Sequence, residues 1–177
     1  MEWDEYFLSI CEAVAKNSKC LSRKIGGLLV EDKRILCTGY NGPPSGVPVC
    51  SERYFIDDNL MQELGKRGIK KERGKDYSTI CPRYLLGYKS GEGLEWCVAG
   101  HAERNLLITA ARFGVATKGK SMYLSCGIPC KECTIEIINA GIKEVVVNGM
   151  VDYDSKAQYL LDHSDLVVRK YVHLKGD

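Results

Sequence analysis

Three apolar runs in the second half of the chain, KSMYLSC (120–126), KEVVVNG (143–149) and DLVVRKYV (165–172), are separated by segments with helical apolar spacing. This alternation is the strongest constraint on the fold, because strands that alternate with helices pair in parallel through crossover connections. Helices are predicted over 101–113, 130–140 and 155–161. Upstream, Phe7, Leu8, Cys11, Val14 and Ala15 recur at helical spacing and predict a helix over 4–18. IGGLLV (25–30) and RILCTGY (34–40), joined by the polar EDKR, read as a hairpin. The expected architecture is α/β, a three-layer α/β/α fold whose central mixed sheet has about five strands.

The pattern breaks between Asn41 and Gly100. That stretch holds NGPPSG, the charged run KRGIKKERGK and the glycine-rich GYKSGEGLE, with little sustained periodicity. So long an irregular segment is usually functional or held by something other than a hydrophobic core. With 177 residues, 45% of them hydrophobic, the chain is read as one domain over 1–177 carrying an insertion over 43–98, before the helix at 101–113. No apolar run reaches the roughly 18 residues of a spanning helix, and the acidic start MEWDEYFLSI is unlike a secretory leader. A cytoplasmic location without a membrane partner is expected. A formal net charge of +2 argues against a dedicated nucleic-acid binder.

Nine cysteines against three histidines direct attention to thiolates, which a reducing compartment leaves for metals or catalysis. Cys130 and Cys133, in GIPCKECTIEIINAG, lie on one face of a predicted first helical turn, where unpaired N–H groups favour thiolates. Alone, such a pair suits a redox couple, half of a structural zinc site or two core thiols. His101, in AGHAERN, opens the preceding helix. Adjacent parallel strands would deliver both helix starts to one sheet edge, so His101, Cys130 and Cys133 can share one zinc with a fourth position left for water. Glu103 then stands where it can take a proton from that water and hand it to a departing amine. A capping pair at a helix start is the plainer reading of His101 and Glu103. Against it, H-x-E followed by P-C-x-x-C is the established signature of zinc-dependent deaminases.

These residues, together with GYNGPPSG (39–46), make the chain similar to the cytidine deaminase-like family, and within it to the deoxycytidylate (dCMP) deaminases, from about Ser18 to about Tyr153. The resemblance implies hydrolysis of dCMP to dUMP and ammonia, supplying dUMP for thymidylate synthesis. It also implies a hexamer activated by dCTP and inhibited by dTTP. Water activated on the catalytic zinc would attack C4 of cytosine, with Glu103 protonating N3 and then the leaving amine. Lys24 and Asn41 match positions near the substrate phosphate and sugar, and Tyr153 an aromatic residue lining the same pocket. The alternatives are a solvated turn for Lys24, a left-handed turn before Gly42 for Asn41, and ordinary packing for Tyr153. Arg23 is an equally basic neighbour of Lys24. Gly42 and Arg112 match positions linked to subunit contact and nucleotide regulation, although Arg112 also suits an exposed salt bridge.

Of the other cysteines, Cys11, Cys37 and Cys126 fall in helix or strand patterns that suit inert buried thiols. Cys20, Cys50, Cys81 and Cys97 sit in polar or irregular sequence offering no obvious apolar pocket. Four such thiols suit a closed structural zinc site that would order the insertion, although their irregular spacing also suits four separate free thiols or a three-ligand site. Some phage and bacterial dCMP deaminases are similar in carrying a second zinc there. Here His163 and His173 are far along the chain, so sulfur ligands alone are expected. One catalytic and one structural Zn2+ are the predicted cofactors. The basic run Lys66 to Lys75 reads as a solvated loop, diluted by Glu72 and lacking an aromatic platform for bases. Other deaminases of the superfamily, acting on 5-substituted dCMP, guanine, a riboflavin precursor or nucleic-acid bases, share the core motif. Outside the enzymes, a zinc-organised interaction module is the competing reading, and it leaves Glu103 without a role.

Overall fold

A computed structural model describes residues 1–69, 76–149 and 155–171. In chain order its elements are α1 (Trp3–Ala15), β1 (Gly26–Glu31), β2 (Arg34–Tyr40), α2 (Cys50–Ile56), α3 (Asp58–Lys66), α4 (Pro82–Leu85), α5 (Ala102–Arg112), β3 (Ser121–Leu124), α6 (Lys131–Asn139), β4 (Glu144–Val147), α7 (Ser155–Asp162) and β5 (Val167–Lys170). They fall into two compact units. One comprises residues 1–18, 25–41 and those from His101 onward, the other residues 19–24 and 42–100. The second unit thus takes in the short segment Lys19–Lys24 as well as the region read as an insertion.

In the first unit the sheet order is β2-β1-β3-β4-β5. β1 is antiparallel to both its neighbours, whereas β3, β4 and β5 run parallel. This is the expected mixed five-stranded sheet. Asp32 and Lys33 both take positive φ, 47° and 61°, as a two-residue type I′ turn between β1 and β2 requires.

Strand residues alternate between two apolar layers. Leu28, Val30, Tyr123 and Val146 pack with Phe7, Leu8 and Cys11 of α1. Leu29, Met122, Leu124, Val145 and Val147 pack with Leu106 and Ala110 of α5 and Ile137 of α6. EVVV carries no polar alternation because both faces of β4 are covered, and each such buried side chain contributes about 1.5–3 kcal/mol. Two glycines permit close approach of helix to strand. A Cβ on Gly26 would lie 2.2 Å from the Cys11 carbonyl oxygen of α1, and one on Gly39 2.7 Å from the Leu106 backbone of α5.

The second unit corrects the expectation of an irregular segment without a core of its own. Tyr54, Leu60, Leu64 and Leu86 form an apolar cluster, with Met61, Leu85 and Trp96 against it. Asp57 caps α3, its carboxylate accepting from Leu60 N at 3.0 Å. Short helices in charged, glycine-flanked sequence give too few turns for their period to stand out. Among the described residues no helix is long and apolar enough to cross a membrane.

Candidate functional site

His101 and Cys130 occupy equivalent places. Each is the N-cap residue, with extended backbone, of a helix on the same face of the sheet, and neither side chain caps its own helix. The capping alternative for His101 is thereby excluded. Its Nδ1 lies 3.4 Å from Cys130 Sγ and 3.3 Å from Cys133 Sγ. Among the described residues, these three form the group of potential ligands whose atoms all lie within 4.8 Å of one another. Nitrogen and sulfur ligands of a tetrahedral zinc stand about 3.5 Å apart, so the donor set fits that ion with little rearrangement.

Local hydrogen bonds hold both helix starts. Thr134, buried in α6, donates through Oγ1 to Cys130 O at 3.0 Å. The Asn105 side chain of α5 donates to Tyr40 O at 2.8 Å, fastening α5 to the end of β2.

The electrostatics suit a cation. Cys130 is pulled down to about 4, first by the hydrogen bond it shares with Cys133 and also by His101. Cys133 is driven up by that same bond, by burial and by the Glu103 carboxylate. Both thiols must be deprotonated to ligate a divalent ion, so binding there would release protons. The His101 imidazole is held above its usual range, chiefly by its bond to Cys130, with Glu103 adding and burial opposing. Glu103 is only 4% exposed and stands beside the three ligands without joining their group.

The other candidates do not belong to this ligand group. Asn41 is buried and does not have positive φ, which corrects the left-handed-turn alternative. Its Oδ1 accepts from Ile25 N at 2.8 Å and its carbonyl accepts from Ser18 Oγ at 2.7 Å, closing the end of the hairpin. Gly42 forms an antiparallel bridge with Gly100, through bonds of 3.1 and 2.8 Å. Lys24 and Arg23 are exposed within the 19–24 segment. Arg112 is exposed in the last turn of α5, about 16 Å along the helix from His101, with its guanidinium 5.9 Å from the centre of the Phe113 ring. Tyr153 lies outside the described residues, as do residues 70–75 of the basic run; Lys66 and Arg67 pair with Glu63.

Cys20, Cys50, Cys81 and Cys97 all belong to the second unit. Cys50 and Cys81 are buried, which corrects the expectation that their surroundings offer no pocket. Burial pushes the Cys50 thiol up to about 11, and Cys81, Cys97 and Cys20 add to the effect. Among the described residues the four do not form a second group of ligand atoms within 4.8 Å of one another. Cys11, with Sγ donating to Tyr123 O at 3.4 Å, is fully buried and pushed up to about 12.

Sequence reasoning missed one pair at the site. Arg104 of α5 and Glu136 of α6 meet with Nε 3.0 Å from Oε2 and Nη2 2.8 Å from Oε1. The available signal was spacing, since each follows a ligand by three residues.

A family model described as the cytidine and deoxycytidylate deaminase zinc-binding region matches residues 1–149. The chain belongs to this family. Among cytidine and deoxycytidylate deaminases, the deoxycytidylate deaminase of Schizosaccharomyces pombe is 32% identical over 171 residues, covering 96% of this chain and 44% of that protein. The chain thus spans less than half the length of the yeast relative. The deoxycytidylate deaminase of Mycobacterium phage D29 is 34% identical over 150 residues, 82% of this chain and 93% of that protein. In fold, the chain resembles the crystal structure of the cyanophage S-TIM5 dCMP deaminase in complex with dCMP and dUMP. The TM-score is 0.61 at 21% identity, covering 94% of this chain and 95% of that one.

Proposed function

We propose that the chain is a zinc-dependent deoxycytidylate deaminase, converting dCMP to dUMP and ammonia. The observation that carries this reading is the convergence of His101, Cys130 and Cys133 beside a buried glutamate, in a family whose relatives at 32% and 34% identity are deoxycytidylate deaminases. The S-TIM5 enzyme of similar fold binds dCMP and dUMP.

When bound, zinc supplies the Lewis acidity that makes water a nucleophile near neutral pH. His101, Cys130 and Cys133 would hold the ion and leave one tetrahedral position open. Glu103 takes the proton of the attacking water and delivers it to N3 of the pyrimidine. It then takes the remaining proton from the new C4 hydroxyl and transfers it to the 4-amino group, so that the C4=O bond forms, the C4–N bond breaks and ammonia leaves with the electron pair. Burial keeps this carboxylate away from bulk water, where competing proton transfers would occur.

Lys24 is assigned to the substrate phosphate, Asn41 to the sugar and Tyr153 to the pocket wall. Gly42 and Arg112 are assigned to subunit contacts and to the dCTP and dTTP response of a hexamer. Cys20, Cys50, Cys81 and Cys97 are assigned to a second, structural zinc, a reading supported by the influence of the other three thiols on Cys50. Cytoplasmic supply of dUMP for thymidylate synthesis is the proposed setting.

The test is zinc content together with loss of cytosine absorbance on dCMP, deoxycytidine, dCTP and a cytosine-bearing oligonucleotide, with dCTP and dTTP also added as effectors. Turnover of dCMP with two zincs per chain is expected. Turnover of the oligonucleotide alone overturns the nucleotide assignment, and tightly bound zinc without turnover favours the interaction module.

A further inference from the structure

Arg104 follows His101 by three residues on α5, and Glu136 follows Cys133 by three on α6. Each therefore lies one helical turn beyond a ligand, on the same face. α5 and α6 are joined by two successive rungs. The first is His101 against Cys130 and Cys133, at 3.3–3.4 Å. The second is the forked Arg104–Glu136 pair, at 2.8–3.0 Å.

We infer that Arg104 and Glu136 form a positioning pair that holds the starts of α5 and α6 at the spacing zinc coordination needs. The inference rests on the zinc site of the proposed function but not on which substrate that site serves. H-x-E and P-C-x-x-C leave both positions open, so the family signature does not require the pair.

Two features support a geometric role over a merely stabilising one. The side chains are 41% and 38% exposed, and an isolated ion pair at that exposure contributes little to folding. A planar guanidinium making two parallel bonds to one carboxylate nevertheless fixes both distance and orientation, which a lysine ammonium cannot do. A crosslink of this kind one turn from the ligands limits sliding and splaying of the helix starts.

The test uses the zinc-loaded full chain, challenged with excess chelator in the presence of iodoacetamide, with labelling of each cysteine followed by peptide mass spectrometry. Arg104→Gln and Glu136→Gln are each expected to expose Cys130 and Cys133 about 10-fold faster than wild type, at the low end of the effect of groups behind metal ligands. Cys11, in the α1-facing core, reports general loosening and is expected to label at the wild-type rate. The swapped double variant Arg104→Glu/Glu136→Arg rebuilds a fork across the same gap and is expected to fall between the single variants and wild type. Wild-type rates in both single variants, a swap as fast as the singles, or equal acceleration at Cys11 would each overturn the inference. This labelling pattern across the variants, with a wild-type chain that turns over no dCMP, removes the deaminase reading and leaves the pair standing. Full dCMP turnover with unchanged labelling in the variants does the reverse.

Discussion

The Nδ1 of His101 lies 3.3 Å from the sulfur of Cys133, a residue 32 positions later in the chain. The contact exists because β3 carries the chain back along the sheet before α6 begins on the same face as α5. With Cys133 buried and grouped with His101 and Cys130, the ligand set is incomplete without either sulfur. Cys133→Ser is expected to lower zinc content by one ion per chain and to remove turnover of dCMP. The apolar layers of the sheet do not include this side chain, so far-ultraviolet circular dichroism should stay that of wild type. Elemental analysis and an absorbance assay check the two losses.

Glu103→Gln separates metal binding from proton transfer. The amide keeps the volume of a side chain that is 4% exposed but can no longer carry the proton. Glu103 is not one of the three grouped ligands, so the bound zinc should persist. The expected result is unchanged zinc content with kcat lowered about 10²–10⁴-fold, the usual worth of a general acid–base group. Single-turnover kinetics on zinc-loaded protein measure it.

Acid stability should depend on Asp4, which joins α1 to the sheet. Its Oδ1 accepts from Tyr123 of β3 at 2.8 Å and from Arg169 of β5 at 2.9 Å, while Arg169 also pairs with Glu144 of β4. The Arg169 hydrogen bond holds the Asp4 carboxyl below its usual value, with Tyr123 adding and burial opposing. Because the folded group ionises more readily than the unfolded one, its contribution is fully present above the unfolded pKa, near 3.9. It is lost as pH falls through the lower folded value. Asp4→Asn should therefore cost about 1 kcal/mol at pH 7, a partly exposed ion-pair value, and flatten the loss of stability below about pH 4. Urea unfolding across pH checks both.

How much of this was legible depended on how local each signal was. β3 and β4 are visible because MYL and VVV are apolar runs bounded by polar residues, and the starts of α5 and α6 because His101 and Pro129–Cys130 interrupt the apolar pattern at a helix boundary. The core of the second unit was hidden. Leu60 and Leu64 give α3 a single helical repeat inside a charged sequence, and Leu86, which completes the cluster, is remote from both. Nothing local marks Lys19–Lys24 as part of that unit, since membership there is decided by contacts distant in sequence. Arg104 and Glu136 likewise look like surface charges until the crossover sets α5 beside α6.

Gly39 links the packing of the sheet to the metal ligands. A Cβ there would stand 2.7 Å from both Cα and N of Leu106, and backbone atoms cannot swing aside as a flexible side chain can. Gly39→Ala must therefore push α5 away from β2, and overpacking of this kind costs about 1–3 kcal/mol. Leu106 is five residues from His101, so the displacement reaches the helix start and pulls Nδ1 away from the two sulfurs. The expected outcome is a Tm lowered by roughly 2–4 °C per kcal/mol, together with weaker zinc binding. Gly65→Ala is the control: it lies within α3, has nothing within 4 Å of the added methyl, and exchanges glycine for a better helix former. It should raise stability by about 0.5–1 kcal/mol and leave zinc affinity at His101, Cys130 and Cys133 unchanged. If Gly39→Ala lowers Tm while leaving that affinity intact, α5 yields along its length without moving its first turn, and the link from strand packing to the metal ligands is broken.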